Sequence, residues 1–181
     1  SACGTFFVFS DYMKPAVRMA ALMEVPVKFI WTHDAFRVGE DGPTHEPVEQ
    51  EAQIRLMEKL KNHHGKNSML VVRPADADET TACWKLAMEN TNTPTGLILS
   101  RQGITKLPAG NDYSESAKGA YIVAGSDEKF DVILLASGSE VSTLEAGAAL
   151  LREDGIKLRI VSVPSEGLFR SQSKEYQESI L

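Results

Sequence analysis

The sequence predicts an α/β fold with mostly parallel sheets in three layers, followed by the start of a second α/β domain. Short apolar runs alternate with segments of helical spacing in both halves of the chain, which is the pattern of β–α–β units. Residues 102–118 separate the halves, because they lack periodicity and contain Pro, Gly, Asn, Asp and Ser. Hydrophobic residues make up 43% of the chain and charged residues 24%, as in ordinary globular proteins.

The first half is predicted to contain three strands and three helices. Apolar and small residues at helical spacing predict a helix over residues 6–23 that is buried over much of its surface. Pro47 suits the first turn of a second helix, which runs to residue 58 or 60. The remaining segments are a strand at 27–31, a loop at 32–44, a polar surface excursion at 62–67, a strand at 69–72, a helix at 78–90 and a strand at 96–99.

The second half is predicted to continue the alternation. Residues 120–123 and 132–136 have the apolar character of strands and could pair with each other. Ser139 is the expected N-cap of a helix that runs to Arg152, and Gly155 is expected to end that helix. Residues 158–163 form the last predicted strand.

Charge and cysteine content exclude several classes of function. The net charge of −6 and the lack of a dense Lys/Arg cluster argue against binding to nucleic acid or a membrane surface. Cys3 and Cys83 have no metal-type spacing, and no apolar run reaches the roughly 20 residues of a membrane helix. We therefore expect a cytoplasmic protein. Apolar residues near both ends also suggest a piece of a longer chain.

Polar residues follow two of the predicted strands. His33 comes after the strand at 27–31, and Ser100 and Arg101 come after the strand at 96–99. If the strands are parallel, these residues share one edge of the sheet with the loop that carries Asp41 and His45. Such a set can bind hydroxyl groups, transfer protons and clamp a phosphate.

Plainer interpretations stay open for each of these residues. The loop residues could simply be solvated, Arg101 could be a surface arginine, and His33 with His45 could bind a metal, although no short ligand spacing supports a metal. Phe6, Phe9 and Tyr12 have the spacing of a helical core stripe, but the same rings could wall a slot for a flat heterocycle.

Several motifs resemble one enzyme family. GEDGPTHEP at residues 39–47 is similar to the GEDGPTHQP motif of transketolases. GTFFVFSDYMKPAVRMAALM resembles the GTF-x-x-F-x-x-Y segment and the following AVRMAAL of the same family. WTHD, VVRPADADE, LILSRQ, ASGSEV and RIVSVPS follow in the family's order, so the resemblance covers residues 4–181.

The resemblance implies a domain organisation and roles for eight residues. Residues 1–102 would be an N-terminally truncated pyrimidine-binding domain, residues 103–118 a linker, and residues 119–181 the truncated start of the C-terminal domain. His45 would be the catalytic residue that contacts the donor sugar, and Asp41 would select hydroxyl stereochemistry. The remaining implied roles are sugar-phosphate binding by His33, Ser100 and Arg101, and binding of the aminopyrimidine ring by Phe6, Phe9 and Tyr12.

The resemblance also implies the reaction and the cofactors. Transketolases of the pentose phosphate pathway transfer a two-carbon ketol unit from a ketose phosphate to an aldose phosphate, as homodimers that use thiamine diphosphate and Mg²⁺ (or Ca²⁺). In the family the diphosphate and metal sites lie before the region that matches this chain, so we expect no metal site here and no activity from this chain alone. The alternatives are dihydroxyacetone synthase, deoxyxylulose-phosphate synthase and a stand-alone binding domain without catalysis.

Three departures from the family pattern affect details. Ala35, Phe36 and Arg37 replace smaller residues after THD, so recognition of the phosphate could differ. Glu46 stands where the family has Gln. Residues 56–67 exceed the usual connection, which predicts an extra helical turn or a surface loop.

Overall fold

A computed structural model describes residues 1–34, 36–108, 110–125 and 129–181 of the chain. These residues form two compact units. Unit 1 consists of Ser1–Val72 and Cys83–Gly103, and unit 2 consists of Arg73–Ala82 and Ile104–Leu181.

Unit 1 is built on a four-stranded parallel sheet. Its strands are β1 (Ala2–Phe6), β2 (Lys28–Thr32), β3 (Leu70–Val72) and β4 (Thr95–Ile98), in the order β1-β2-β4-β3. Of the two central strands, β4 is buried along its whole length and β2 at three of its five residues, as expected for parallel strands that are covered on both faces. The predicted α/β fold class is confirmed.

Three helices accompany this sheet: α1 (Ser10–Leu22), α2 (Gln50–Lys59) and α3 (Ala77–Glu89), of which residues 83–89 belong to unit 1. The central cluster of the core joins the sheet to α1 and α2. Its buried members are Phe7, Val17, Ala20, Phe29, Trp31, Ile54, Met69, Val71 and Ile98.

The predicted helix over residues 6–23 is wrong at its beginning. Residues 2–6 pair with β2 as an edge strand, residues 7–9 form a 3-10 turn, and α1 starts only at Ser10. The turn brings Phe7 into the core, where its side chain is fully buried. The predicted burial of this helix is also wrong, because Met19 and Leu22 are 53% and 57% exposed.

The segment before β3 departs from the prediction at one point. Helix α2 starts at Gln50 instead of Pro47, because the Gln50 side chain accepts a hydrogen bond from the backbone N–H of Val48 and closes a turn there. The loop predicted at 32–44 contains a kinked 3-10 segment, Phe36–Asp41. The polar excursion at 62–67 is confirmed as a largely exposed turn.

Unit 2 contains a three-stranded mixed sheet. Its strands β5 (Tyr121–Gly125), β6 (Val132–Ala136) and β7 (Leu158–Ser162) lie in the order β5-β7-β6. Strand β7 is parallel to β6 and antiparallel to β5. The expected pairing of β5 with β6 is therefore wrong. The central position belongs to β7, whose five residues are all buried.

The helices of unit 2 are α4 (Glu140–Glu153), α5 (Glu166–Arg170) and α6 (Lys174–Ile180), and Tyr113–Lys118 forms a 3-10 helix. Gly155 follows α4 with a φ of 79°, as predicted for a helix end. The predicted cap by Ser139 is wrong, because its dihedral angles are already helical and its hydroxyl donates to Glu140 instead. No helix in the described part of the chain has the length and apolar character to cross a membrane.

Candidate functional site

The candidate site lies where β2 and β4 end. These strands are parallel neighbours, with Trp31 opposite Ile98, so the residues that follow them share the carboxyl edge of the sheet. His33 follows β2, and Ser100 and Arg101 follow β4. The predicted convergence of these segments is confirmed.

His33 is held in an unusual conformation against an aromatic ring. Its φ of 61° lies in the left-handed region, which a residue with a side chain adopts only at a cost that the surrounding structure must offset. The imidazole stacks on Phe6 with the ring centroids 3.7 Å apart. Its Nδ1 lies 2.9 Å from the hydroxyl of Thr32. These contacts fix the direction in which the ring points.

Asp41 joins the imidazole to a guanidinium group. Its Oδ2 lies 3.7 Å from Nε2 of His33 and 3.5 Å from Nε of Arg101. Arg101 also donates a hydrogen bond of 3.1 Å from Nη2 to Glu40. The site therefore combines two carboxylates, one guanidinium and one imidazole, all of them at least partly accessible to solvent.

Burial lowers the pKa of His33, and the charges of Arg101 and His45 lower it further, while Asp41 raises it. The imidazole is therefore neutral at pH 7 and can accept a proton or a hydrogen bond. A hydrogen bond from its own backbone, followed by the charge of Arg101, lowers the pKa of Glu40.

His45 lies beside two phenylalanine rings. Its ring meets Phe6 and Phe9 edge-on, with centroid distances of 5.7 and 5.4 Å. Its Nδ1 is 2.9 Å from the hydroxyl of Thr44, and its Nε2 has no partner within the described ranges. One nitrogen is thus positioned by the protein while the other can meet a ligand.

Two glycines allow the loop to reach His45. Gly39 and Gly42 have φ values of 78° and 75°, which residues with a side chain rarely adopt. A Cβ would meet nothing within 4 Å at either position, so backbone conformation rather than space requires glycine. The amide of His45 donates to the carbonyl of Gly42, which closes the turn.

The three predicted aromatic residues form a short row, although they do not lie on one helix. Phe6 ends β1, Phe9 belongs to the 3-10 turn, and Tyr12 is in the first turn of α1. Phe6 and Phe9 stack at 5.9 Å, and Tyr12 lies 6.2 Å from Phe9. Tyr12 is 83% exposed, so the interpretation of this row as a core stripe is wrong for that residue. The accessible rings could hold a flat heterocycle by stacking.

The candidate site is bordered by Ser100 and by the residues that follow Asp34. Ser100 is half-buried next to Arg101, and it makes no hydrogen bond in the part of the chain that is described. Ala35 and the side chain of Phe36 lie outside the described residues, and Arg37 is exposed. Glu40 was missed as the hydrogen-bond partner of Arg101, and only its position next to Asp41 could have suggested that contact.

The described residues offer no site for a metal ion. Within residues 1–34, 36–108, 110–125 and 129–181, no group of three His, Cys, Asp or Glu side chains comes together in a metal-binding arrangement. The interaction of His33 with Asp41 and its stacking on Phe6 instead suit contacts with an organic ligand.

Comparison with protein families gives two matches along the chain. Residues 1–106 match the family model for the transketolase pyrimidine-binding domain, and residues 119–181 match the model for the transketolase-like C-terminal domain. The transketolase of Halalkalibacterium halodurans is 49% identical over 179 residues, which is 98% of this chain and 26% of that protein. The chain thus spans about a quarter of the length of the curated relatives it matches.

Solved structures agree with this comparison. A transketolase from Pichia stipitis in complex with sedoheptulose 7-phosphate is similar with a TM-score of 0.89 and 40% identity, over 99% of this chain and 25% of that one. A split-gene transketolase, solved as an inactive β4 tetramer, is similar with a TM-score of 0.69 and 26% identity, over 91% of this chain and 49% of that one.

Proposed function

The chain belongs to the transketolase family, and from this premise we propose that it forms part of an enzyme that transfers a two-carbon ketol unit from a ketose phosphate to an aldose phosphate. The observation that carries the proposal is the group of His33, Asp41, Arg101 and His45 beside the open aromatic row. At one edge of the sheet, this group can contact the phosphate and the hydroxyls of a sugar phosphate and the flat ring of a cofactor.

The domain limits form part of the proposal. Residues 1–102 supply the pyrimidine-binding domain without its beginning, residues 103–118 act as a linker, and residues 119–181 start the C-terminal domain. The two family-model matches, which end at residue 106 and begin at residue 119, support this division.

The aromatic row fits the ring of thiamine diphosphate. Phe6 and Phe9 are half-buried and stacked, and Tyr12 leaves most of its surface open, so together they offer an apolar wall with free area. When bound, the cofactor supplies the carbon nucleophile that breaks and forms the carbon–carbon bond. Phe6, Phe9 and Tyr12 hold and orient its pyrimidine ring.

Arg101 and His33 are the proposed phosphate-binding residues. The guanidinium of Arg101 has several parallel N–H donors that match phosphate oxygens. When no phosphate is bound, the carboxylates of Asp41 and Glu40 orient the guanidinium. The neutral imidazole of His33 can donate or accept one further hydrogen bond. Ser100 adds a hydroxyl next to this pair.

His45 and Asp41 are the proposed groups for the reacting end of the sugar. Nε2 of His45 has no partner among the described residues, so it can donate to or take a proton from a sugar oxygen. The Asp41 carboxylate accepts a hydrogen bond from a hydroxyl of one configuration and thereby selects stereochemistry. His45 is the residue that we assign as catalytic.

The remaining partners of the full enzyme lie outside this chain. We propose that Mg²⁺ (or Ca²⁺) and the diphosphate group bind to residues that precede the matched region. A second subunit is expected to complete the site in a cytoplasmic homodimer of the pentose phosphate pathway. The exposure of Tyr12, next to Phe6 and Phe9, supports association of this apolar patch with another surface, and light scattering over a concentration series would test it.

A second candidate function is that of a subunit without activity of its own. The split-gene transketolase that resembles this chain was solved as an inactive tetramer, which supports the expectation that the 181-residue chain does not catalyse ketol transfer alone. The sequence motifs and the similar proteins favour a transketolase over a dihydroxyacetone synthase or a deoxyxylulose-phosphate synthase.

The test is ketol transfer from xylulose 5-phosphate to ribose 5-phosphate with thiamine diphosphate and Mg²⁺. It compares this chain with the same chain joined to the preceding region of the H. halodurans transketolase, and with a His45→Ala variant of that chimera. We expect activity only in the unmodified chimera. Activity of the short chain would contradict the proposal that residues outside this chain are required for catalysis. A chimera that folds but is inactive would contradict the assigned reaction.

A further inference from the structure

Unit 1 contains a second cleft that the proposed function does not use. It has a volume of about 210 Å³ and lies where the last turns of α1 and α2 meet the turn at residues 61–67. Its main lining side chains are Arg18, Leu22, Met57, Leu60, Lys61 and His63.

The cleft is separate from the candidate active site. Tyr12, at the first turn of α1, belongs to the active-site row, whereas Leu22, at the last residue of the same helix, lines the cleft. Ten residues of α-helix correspond to about 15 Å. A ligand of the cleft therefore does not occupy the active site.

The charged residues of the cleft are all of one sign. Arg18 and Lys61 are the charged side chains that line it, and no carboxylate does among the described residues, although the whole chain carries a net charge of −6. Arg18 makes no hydrogen bond or ion pair with any described residue, and Lys61 donates only to the neutral amide of Asn67, at 2.7 Å. This local positive charge is complementary to an anion.

The helix ends do not cancel this preference. Carbonyl groups at a helix C-terminus carry partial negative charge, but here other donors satisfy several of them. Ser68 donates its amide to the carbonyl of Leu60 and its hydroxyl to the carbonyl of Met57. The amide of Val25 donates to the carbonyl of Ala20 at the end of α1.

The rest of the lining is apolar and accessible. Leu22 and Leu60 are 57% and 58% exposed, and the half-buried Met57 lies between the helices with a side chain that adapts its shape easily. Adjacent exposed apolar side chains next to cations form a surface for an amphiphilic molecule rather than for a bare inorganic ion.

The turn that carries Lys61 is ordered by its own hydrogen bonds. Oδ1 of Asn62 accepts from the amides of His64 and Lys66, each at 3.0 Å, and Lys61 pairs with Asn67 in an antiparallel bridge. Lys61 and His63 are thus presented without a large ordering cost on binding. This turn belongs to residues 56–67, the stretch for which the sequence predicts an extra helical turn or a surface loop.

We propose that this cleft binds a small organic anion with a short apolar chain, its charged head at Arg18 and Lys61 and its chain against Leu22, Met57 and Leu60. At about 30 Å³ per water-sized group, the volume takes roughly seven non-hydrogen atoms. Hexanoate has eight non-hydrogen atoms and hexyl phosphate has eleven, and the six-carbon chain that they share fits this volume, so either can serve as a probe.

The test is a titration of the isotope-labelled protein with three six-carbon probes, namely hexyl phosphate, hexanoate and hexanol. Binding is measured by the amide chemical shifts of the protein. Hexyl phosphate is expected to bind more tightly than hexanoate, and hexanol least tightly, because the negative charge of the head group decreases in that order. Shifts should concentrate at Ala21, Leu22, Met57, Leu60, Asn62 and Ser68. Arg18→Gln and Lys61→Gln should each weaken hexanoate binding about fivefold, the strength of an exposed ion pair.

Two further variants complete the design. Arg170→Gln removes an exposed arginine of unit 2 and should leave the affinity unchanged. Leu60→Asp places a negative charge in the cleft and should abolish binding of both anions while the amide spectrum stays that of a folded protein. Equal affinity for all three probes or absence of shifts at the cleft would overturn the proposal. So would hexanoate binding by Arg18→Gln and Lys61→Gln that is as tight as that of the unmodified chain. Ketol-transfer activity of the chimera is independent of all these outcomes.

Discussion

Carboxylates occur in two opposite settings in this protein. At the candidate site of unit 1, Glu40 and Asp41 are accessible and lie next to the cation of Arg101. In unit 2, Glu79 is fully buried, and no cation pairs with it among the described residues. The same chemical group therefore has a different role in each unit.

Neutral donors hold Glu79 in place. Its Oε1 accepts hydrogen bonds from the hydroxyls of Tyr121 at 2.7 Å and Ser162 at 2.8 Å, and its Oε2 accepts from the amide of Ala75. Burial raises the pKa of Glu79, although these hydrogen bonds partly oppose the shift. All the partners belong to the same unit, so this carboxylate connects the start of α3 with β5 and β7.

Asp76 extends the same network. Its Oδ2 accepts from the amide of Leu107 at 3.0 Å and from the hydroxyl of Tyr113 at 2.8 Å, and its Oδ1 accepts from the amide of Glu79. Burial, followed by the hydrogen bond to Asp76, raises the pKa of Tyr113. The comparison teaches that carboxylates whose acceptor capacity is used internally stabilise the fold, whereas those beside a half-exposed guanidinium remain available to a ligand.

The largest expected effect is loss of stability in Glu79→Ala. Three buried donors would lose their acceptor, which should lower the free energy of unfolding of unit 2 by about 3–5 kcal/mol. Hydrogen exchange of the amides of β7 in increasing urea measures this change. Glu153→Ala, at an exposed position of α4, is the control and should stay within about 0.5 kcal/mol of the unmodified chain. A loss below about 1 kcal/mol in Glu79→Ala would remove the distinction between the two settings.

The next largest effect is loss of substrate affinity in Arg101→Gln. Without the guanidinium, the apparent affinity of the chimera for a sugar phosphate should fall by about 2–3 kcal/mol, measured as a rise in KM. The free energy of unfolding should change by less than about 1 kcal/mol, because the pairs with Glu40 and Asp41 are accessible to solvent. Arg101→Lys keeps the charge without the planar fork and should give an intermediate KM. An unchanged KM with a large loss of stability would assign Arg101 to the fold.

A smaller effect is a pH dependence of stability that comes from Glu79. Its pKa is raised in the folded state, so the folded chain binds more protons than the unfolded chain above the ordinary value of 4.5. The stabilising contribution is present below that value and is lost as the pH rises through the folded pKa. Urea unfolding of unit 2 between pH 4 and pH 8 should show this decline, and Glu79→Gln should flatten it. If the free energy of unfolding of unit 2 depended on pH equally in both chains, the pH dependence would not come from Glu79.

The smallest effect is the opposite pH dependence in unit 1. The pKa of His33 is lowered below its ordinary value of 6.5, so the unfolded state binds more protons in the window between the two values. Unit 1 should therefore lose stability as the pH falls below 6.5 and through the folded pKa. His33→Gln should reduce this slope, and an unchanged slope in that variant would contradict the assignment to His33. Fluorescence of Trp31 and Trp84, both in unit 1, follows the transition.

Much of the fold was predictable because local patterns coincide with burial. Strands β2, β4 and β7 are compact apolar runs, and their positions differ from the prediction by about one residue. Strand β1 was missed, because its sequence ACGTF has no alternation and its first three residues are exposed. An edge strand of this kind forms only because β2 offers it hydrogen bonds.

The candidate site was predictable to a similar degree. Parallel strands imply a shared carboxyl edge, so the proximity of His33, Asp41 and Arg101 followed from the order of elements. The stack of His33 on Phe6 did not, because it depends on a left-handed backbone conformation at His33 and on the strand conformation of Phe6. The assigned roles of these residues stay predictions until the chimera is assayed.

The amino-acid sequence by itself determined which segments are apolar, where glycine permits the turns at Gly39 and Gly42, and which family motifs the chain carries. Only the tertiary structure decided the central place of β7, the internal hydrogen bonds of Glu79 and the positively charged cleft beside α1 and α2. The physical reason is distance along the chain. Strand order, buried polar networks and clefts join residues that are far apart in sequence, so local periodicity and motif spacing carry no information about them.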